Sequence, residues 1–271
     1  MAGQPSNGHP SCQQHNTLSN PVVFEQPLNE KTRAMLRMEF LFEQARAHTF
    51  RHSTWDSRAA LRALFDLMSL FCRSDLKTEL IKELERQAAF LDRLAENPQV
   101  DRERLDEVLN EMDILIDRLH ALQNQSLEFR DNDFLTSIKQ RSTIAGGCCD
   151  FDLPAYHYWL SQPEEKRILD IQAWLEPFDP IRQAVMLALR LIRDSGEPSN
   201  EIAQGGFFQR ALDPNISCQL VRVTTPDDSP YFPEISGSKH RFNIRFMRHS
   251  MSERPTQAKE DVPFTLTCCM L

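Results

Sequence analysis

At 271 residues, 41% hydrophobic and 26% charged, the chain has room for one large domain or two smaller ones, and its composition is that of a soluble globular protein. Its 39 Asp and Glu against 31 Lys and Arg leave a net charge of −8, which argues against indiscriminate binding to nucleic acid or anionic membranes. No apolar run approaches the roughly 18 residues of a membrane span.

Residues 1–20 hold no Lys or Arg and no apolar stretch, so both halves of a signal peptide are missing. Rich in Gln, Asn, Ser and Pro, they read as a disordered tail on a cytoplasmic protein. Seven cysteines, an odd number with two adjacent pairs, fit the same compartment.

Val22 to Gln26 reads as a short strand stopped by Pro27. Asn29 can cap a helix from Glu30 to His48, with Met35, Leu36, Met38, Phe40, Leu41 and Phe42 as a broad apolar surface. A second helix covers Asp56 to Cys72, and Ser74 or Asp75 restarts a third that runs to Glu96. After Asn97-Pro98 a fourth begins near Asp101. Its Leu105, Val108, Met112, Leu115, Leu119 and Leu122 recur at coiled-coil spacing. Leu80, Leu84, Ala88, Leu91 and Leu94 share one side of the third helix. The two read as a long antiparallel hairpin with arms of about 20 residues, roughly 30 Å.

Shorter helices follow at Asp133 to Arg141, Leu153 to Leu160, Glu164 to Trp174 and Pro180 to Asp194. Gly196, Pro198, Ser199 and Asn200 then end the helical part. The period changes from 3.6 to 2, with strands expected at 206–209, 217–224, 232–235, 239–247 and 264–269. The expectation is an α+β fold: a largely helical domain over 21–198 and one antiparallel β domain over 199–271, which the strand at 22–26 can join.

The stretch from Ile235 to Arg248 concentrates four Lys and Arg with no acid. As a strand it puts Lys239, Arg241, Asn243 and Arg245 on one face and Phe242, Ile244 and Phe246 on the other. Such a patch on an acidic protein suits an anionic partner such as a carboxylate-bearing peptide, although cations also protect edge strands from aggregation.

Four thiolates from Cys148, Cys149, Cys268 and Cys269 would make a zinc site only if the pairs met, and adjacent cysteines reach one ion badly. Cys149 with His157 would be the minimum of a thiol enzyme, but no third orienting group is evident. Cys268-Cys269-Met270-Leu271 has the form of a prenylation signal, yet its cysteines close the last expected strand, where a prenyl acceptor would be hard to reach. No phosphate loop, dinucleotide fingerprint, metalloprotease motif or nucleophile elbow is present.

Several stretches together resemble the ZapD family of bacterial cell-division proteins. They are Phe24 to Lys31 with Arg33 and Leu36 to Leu41, Lys77 to Gln87, Gly146 to Pro154, and Ile235-Ser236-Gly237 continuing through Arg241-Phe242 to Ile244-Arg245-Phe246-Met247. The matches keep their order from about residue 22 to 269. The resemblance implies a non-enzymatic, dimeric protein with a helical and a β domain, recruited to mid-cell. Such a protein binds the C-terminal tail of the tubulin-like FtsZ and bundles its filaments without nucleotide, metal, nucleic acid or membrane insertion. It further implies a basic tail-binding cleft at Arg73, Arg241 and Arg245, with Lys239 as supporting charge. His157 and Trp159 of the Leu-Pro-x-x-His-x-Trp-Leu segment are expected nearby. Two features depart from the pattern. The tail at 1–20 lies beyond the shared region, and Asp133 stands where a basic residue is expected, with Arg130 as a substitute. The rival readings are a thiol enzyme using Cys149 and His157, or a nucleic-acid module using the 239–248 stripe.

Overall fold

The computed structural model describes residues 21–71, 75–98, 100–122, 129, 132–213 and 217–271. The chain opens with β1 (Val22–Pro27), followed by α1 (Glu30–Thr49), α2 (Thr54–Phe71), α3 (Leu76–Arg93), a 3₁₀ turn (Leu94–Glu96) and α4 (Arg102–Ala121). Then come α5 (Asp133–Arg141), α6 (Pro154–Leu160), α7 (Glu164–Leu175) and α8 (Asp179–Asp194). The strands are β2 (Pro198–Ala203), β3 (Phe207–Ala211), β4 (Leu220–Thr225), β5 (Tyr231–Gly237), β6 (Arg241–Arg248), β7 (Thr256–Gln257) and β8 (Val262–Cys269). The fold is α+β, as the change of period requires.

Local chemistry sets the helix starts. Asn29 accepts from the Thr32 amide at 2.8 Å, Asp101 from Arg104 at 3.2 Å and Asn132 from Leu135 at 3.0 Å, each satisfying an otherwise unpaired first-turn donor. Pro154 and Pro180 sit in the first turns of α6 and α8, where a missing N–H costs nothing. The α3–α4 hairpin forms, with Leu80, Leu84, Leu105, Met112, Leu115 and Leu119 buried along it. It does not stand free: α4 also lies on α8, where Arg118 reaches Gln183 at 2.8 Å and Arg190 reaches Glu111 at 3.1 Å. Among the described residues no helix is long and apolar enough to cross a membrane.

The strands divide into two antiparallel sheets rather than the single sheet expected. One has the order β1-β4-β8-β2, and the other the order β3-β6-β5 with β7 added beside β6. They pack face to face over Val221, Val223, Phe264, Leu266, Phe242, Ile244 and Phe246, with the Phe264 ring 5.3 Å from Phe208 and 5.1 Å from Phe246. β2 occupies the stretch expected to be only a turn. Among the described residues it pairs with β8 alone, which leaves Pro198 at the start of an edge strand, where a missing N–H is tolerated.

The opposite face of the first sheet rests on the helices, and a charged hub joins the two parts. Arg193 of α8 forks onto Glu25 of β1 at 2.8–2.9 Å and Glu39 of α1 at 2.6–2.7 Å, and Arg222 of β4 adds a bond to Glu25 at 3.0 Å. Nearby, Leu271 is buried and its main-chain oxygen accepts from Arg86 of α3 at 3.0 Å and from Gln219. Cys268 and Cys269 lie within β8, which places the prenylation-like ending in a strand packed on both sides.

Candidate functional site

β6 realises the alternation written in its sequence. Phe242, Ile244 and Phe246 are buried in the sandwich, while Arg241 and Arg245 are exposed on the outer face with Asn243 half-buried between them. Lys239 and His240 are exposed in the turn that precedes the strand. The register sets Arg245 between Phe207 of β3 and Glu234 of β5, and Asn243 between Gln209 and Ser236, whose hydroxyl bonds the Asn243 side chain. Four residues of strand put the bases of Arg241 and Arg245 about 13 Å apart. Among the described residues no carboxylate lies within 4.0 Å of Lys239, Arg241 or Arg245. Arg248 differs: it lies over the Tyr231 ring at 5.3 Å, bonds its hydroxyl at 2.7 Å and pairs with Glu260 at 3.6 Å.

This face ends at the junction with the helices. A Cβ on Gly237 would come within 2.8 Å of both the Leu28 side chain and Phe242 Cβ, so glycine lets the β5–β6 hairpin close on Leu28. The preceding residue, Pro27, helps line a groove of about 590 Å³ whose other walls include Arg33, Leu36, Arg37, Phe40 and Leu70. Helical geometry explains these walls. Met35, Met38, Phe42 and Ala45 form the buried stripe of α1, whereas Arg33, Leu36, Arg37 and Phe40 share a second stripe three and four residues apart. Phe40 is 67% exposed. Arg33 is held by Glu30 at 3.1 Å, and Arg37 is exposed without an ion pair among the described residues.

One broad apolar surface from Met35 to Phe42, as the sequence suggests, does not separate Leu36 and Phe40 from the buried stripe. A signal was available: six apolar residues in eight positions span more than one helix face, and the surplus alternates with arginines. Arg73, expected at this cleft, and Arg130 both lie outside the described residues. Asp133 is exposed at the start of α5.

His157 and Trp159 sit on α6, away from β6; the helices meet the β part chiefly through β1 and β8. Trp159 is only 7% exposed, its indole N–H donates to Asp170 at 2.8 Å, and the rings of Trp174, Phe134 and Tyr156 surround it at 5.5–6.0 Å. It is a core residue of the helical part. His157 is exposed, and its Nδ1 lies 3.1 Å from Asp150.

That pairing turns His157 toward Asp150, and among the described residues it makes no hydrogen bond to the Cys149 thiol. Cys149 Sγ donates instead to Asp152 at 3.1 Å, and that hydrogen bond together with burial pushes its pKa up. Burial likewise raises Cys148, outweighing the nearby Arg58 and Arg62. The 148–149 pair sits in the helical part and the 268–269 pair in β8, so the two do not meet. Among the described residues no cluster of three or more His, Cys, Asp or Glu is arranged to hold a metal ion.

The family model described as ZapD, cell division protein, matches residues 36–245. The chain belongs to the ZapD family. The cell division protein ZapD of Methylococcus capsulatus is 42% identical over 255 residues, covering 94% of this chain and 100% of that protein. Those of Ralstonia nicotianae (39% over 250 residues) and Nitrosomonas europaea (37% over 251) each cover 92% of this chain and 99% and 95% of their own. Its place among the ZapD proteins makes this a cell-division protein, and the matched region contains the groove stripe of α1 from Leu36 onward and the β6 face to Arg245.

Proposed function

We propose that this ZapD-family protein is a non-enzymatic crosslinker that binds the C-terminal tail of FtsZ and, as a homodimer, bundles FtsZ filaments at the division site. The observation that carries the reading is the pair Arg241 and Arg245, exposed and without carboxylate partners among the described residues, on a protein of net charge −8. Guanidinium groups bind carboxylates by paired hydrogen bonds, so this face suits a short acidic segment in extended form. The Leu36–Phe40–Leu70 groove, rimmed by Arg33 and Arg37, supplies apolar surface for hydrophobic side chains of the same segment. Arg73 belongs to this reading by family resemblance. Lys239 adds field strength, and Trp159 keeps the helical part folded.

A flexible tail loses conformational entropy when it is ordered, so a single contact is weak. Two clefts on a dimer change the outcome, because capture of one tail raises the effective concentration of the next on the same bundle. Neither nucleotide nor metal takes part in this mechanism.

The test is titration of the purified full chain with a synthetic FtsZ tail peptide, followed by fluorescence anisotropy, alongside sedimentation of FtsZ filaments. Arg241→Glu and Arg245→Glu should each abolish measurable binding and bundling while leaving the thermal melt unchanged. Raising the salt concentration should weaken wild-type binding, since exposed charge pairs are screened. Undiminished bundling by both variants would reject this face as the tail site.

A further inference from the structure

Large apolar side chains stand in solvent around a second groove of about 590 Å³. Phe65 of α2, Ile138 of α5 and Cys148 form its floor, and Trp55, Arg58 and Ile144 stand around it. Trp55 is 75% exposed, Ile144 54%, and Phe151, which follows the lining residue Asp150, 85%. The loop that carries Phe151 is braced. The Gly147 amide donates to Ile144 O at 3.0 Å, Cys149 to Gly146 O at 3.1 Å, and Asp152 and Leu153 both to Cys149 O at 3.1 and 3.2 Å. A Cβ on Gly147 would come within 2.5 Å of Arg141 O, so glycine lets the loop close on the end of α5. Phe151 is thus presented on a folded support, and docking it costs little further ordering.

The charges around the groove balance. Arg58 lies 4.9 Å from the Tyr156 ring and 5.5 Å from the Trp55 ring, and donates to Cys148 O at 3.0 Å and to Asp150 at 3.4 Å. Arg62 pairs with Asp66 at 3.2 Å, and Arg141 with Asp152 at 3.9 Å. Three arginines thus meet three aspartates, with His157 also facing Asp150, on a chain of net charge −8. A strongly charged partner finds no net field to read here, whereas two copies of an acidic protein repel least where each presents a neutral patch. Shape points the same way. A two-fold interface needs its projection and its recess on one patch, so that each subunit both gives and receives. Phe151 and the groove beside it are such a pair. Trp55 and Phe151 alone expose roughly 250–400 Å², a large part of the about 800 Å² that each partner buries in a stable interface.

We propose that this face is where two copies of the chain meet, with Phe151 of each subunit seated in the groove of the other beside Trp55. The interface rests on the homodimer of the crosslinker reading and adds its location. Around the apolar centre, Asp150 and Arg62 can exchange their own partners for those of the second copy, which leaves no charge stranded when the rim closes. The helical part docks on the strands through α1 and α8, whereas the groove is built from α2, α5 and the 144–150 loop. Pairing here leaves both β6 faces open, as a bivalent crosslinker requires. An interface with an apolar centre and a balanced rim holds in high salt, in contrast to the cationic tail-binding face.

Sedimentation equilibrium of the full chain at graded concentrations, in low and high salt, is the test. Phe151→Asp and Trp55→Asp are compared with Ile202→Asp, which puts the same charge on an exposed residue of β2. The wild-type chain should be dimeric at both salt concentrations. Phe151→Asp and Trp55→Asp should each weaken the dimer by roughly 100-fold or more, because a carboxylate replaces an aromatic anchor. Both should keep the wild-type circular dichroism spectrum and tail-peptide affinity and lose filament bundling, while Ile202→Asp stays dimeric. Undiminished dimers in both variants, or a wild-type dimer that dissociates in high salt, overturn this interface and leave the crosslinker reading standing. A monomeric wild-type chain overturns the homodimer and this interface with it. Full bundling by a monomeric Phe151→Asp chain would support the interface and reject crosslinking through the dimer.

Discussion

Replacing Arg193 with methionine removes the hub that fastens the β part to the helices while keeping most of the side chain's apolar length. Four charge-assisted hydrogen bonds of 2.6–2.9 Å disappear, two to Glu25 and two to Glu39. Removing one partner from a fully buried ion pair costs about 3–5 kcal/mol, much of it from the charge left behind. Here the side chains of Arg193, Glu25 and Glu39 retain 24%, 19% and 17% of their exposure, so solvent screens part of that cost. Glu25 also keeps Arg222 at 3.0 Å, whereas Glu39 is left without a cation among the described residues. The expected loss is therefore about 2–3 kcal/mol, concentrated on Glu39. Urea unfolding followed by circular dichroism should show a midpoint lower by about 1 M, given a slope of roughly 2–3 kcal/mol/M. Adding Glu39→Gln should cost less than the sum of the two single changes, because the stranded carboxylate is gone. Tail-peptide affinity should fall only a few-fold, since neither the β6 face nor the groove wall is altered. A loss under about 0.5 kcal/mol, or strict additivity with Glu39→Gln, would show that the hub is screened and does not hold the parts together.

Trp159→Phe should destabilise the helical part by about 1–2 kcal/mol, through the lost bond to Asp170 and reduced packing, and leave tail-peptide affinity unchanged. An affinity loss without a stability loss would return Trp159 to the binding surface. Gly237→Val should cost about 1–3 kcal/mol by overpacking against Leu28 and Phe242, read as a lower melting midpoint; an unchanged melt would mean the hairpin does not close on Leu28. Glu83 provides a pH test. Burial would raise its carboxyl, but Arg86 and Lys31 outweigh this and hold it below the usual 4.5. A carboxyl depressed in the fold stabilises fully above its unfolded value and loses that contribution as pH falls through the folded one. Glu83→Gln should therefore lose less stability than wild type between about pH 5 and pH 3, measured by urea midpoints. Parallel curves would remove Glu83 from the acid response.

Much of the fold was legible where the deciding information lies within a few residues. Asn29, Asp101 and Asn132 cap helices because their side chains reach amides three positions on. The β6 face was legible because alternation alone orients its side chains once Phe242, Ile244 and Phe246 are buried. β2 was not, since Pro198, Ser199 and Asn200 have turn propensities and become a strand only because β8 offers an edge. Family position places Trp159 near the cleft, and only the cage of Phe134, Tyr156 and Trp174 shows it to be interior to the helical part.

The sequence alone therefore determined the order and type of most elements, the α+β class and a strand with one cationic face, because these follow from caps and periods of 3.6 and 2. The tertiary structure decided which surplus faces stay uncovered. It divided the strands into two sheets, left the Arg33–Phe40 stripe of α1 open along a groove and closed the β5–β6 hairpin on Leu28. Those outcomes depend on contacts between residues far apart in the chain, and no local period encodes them.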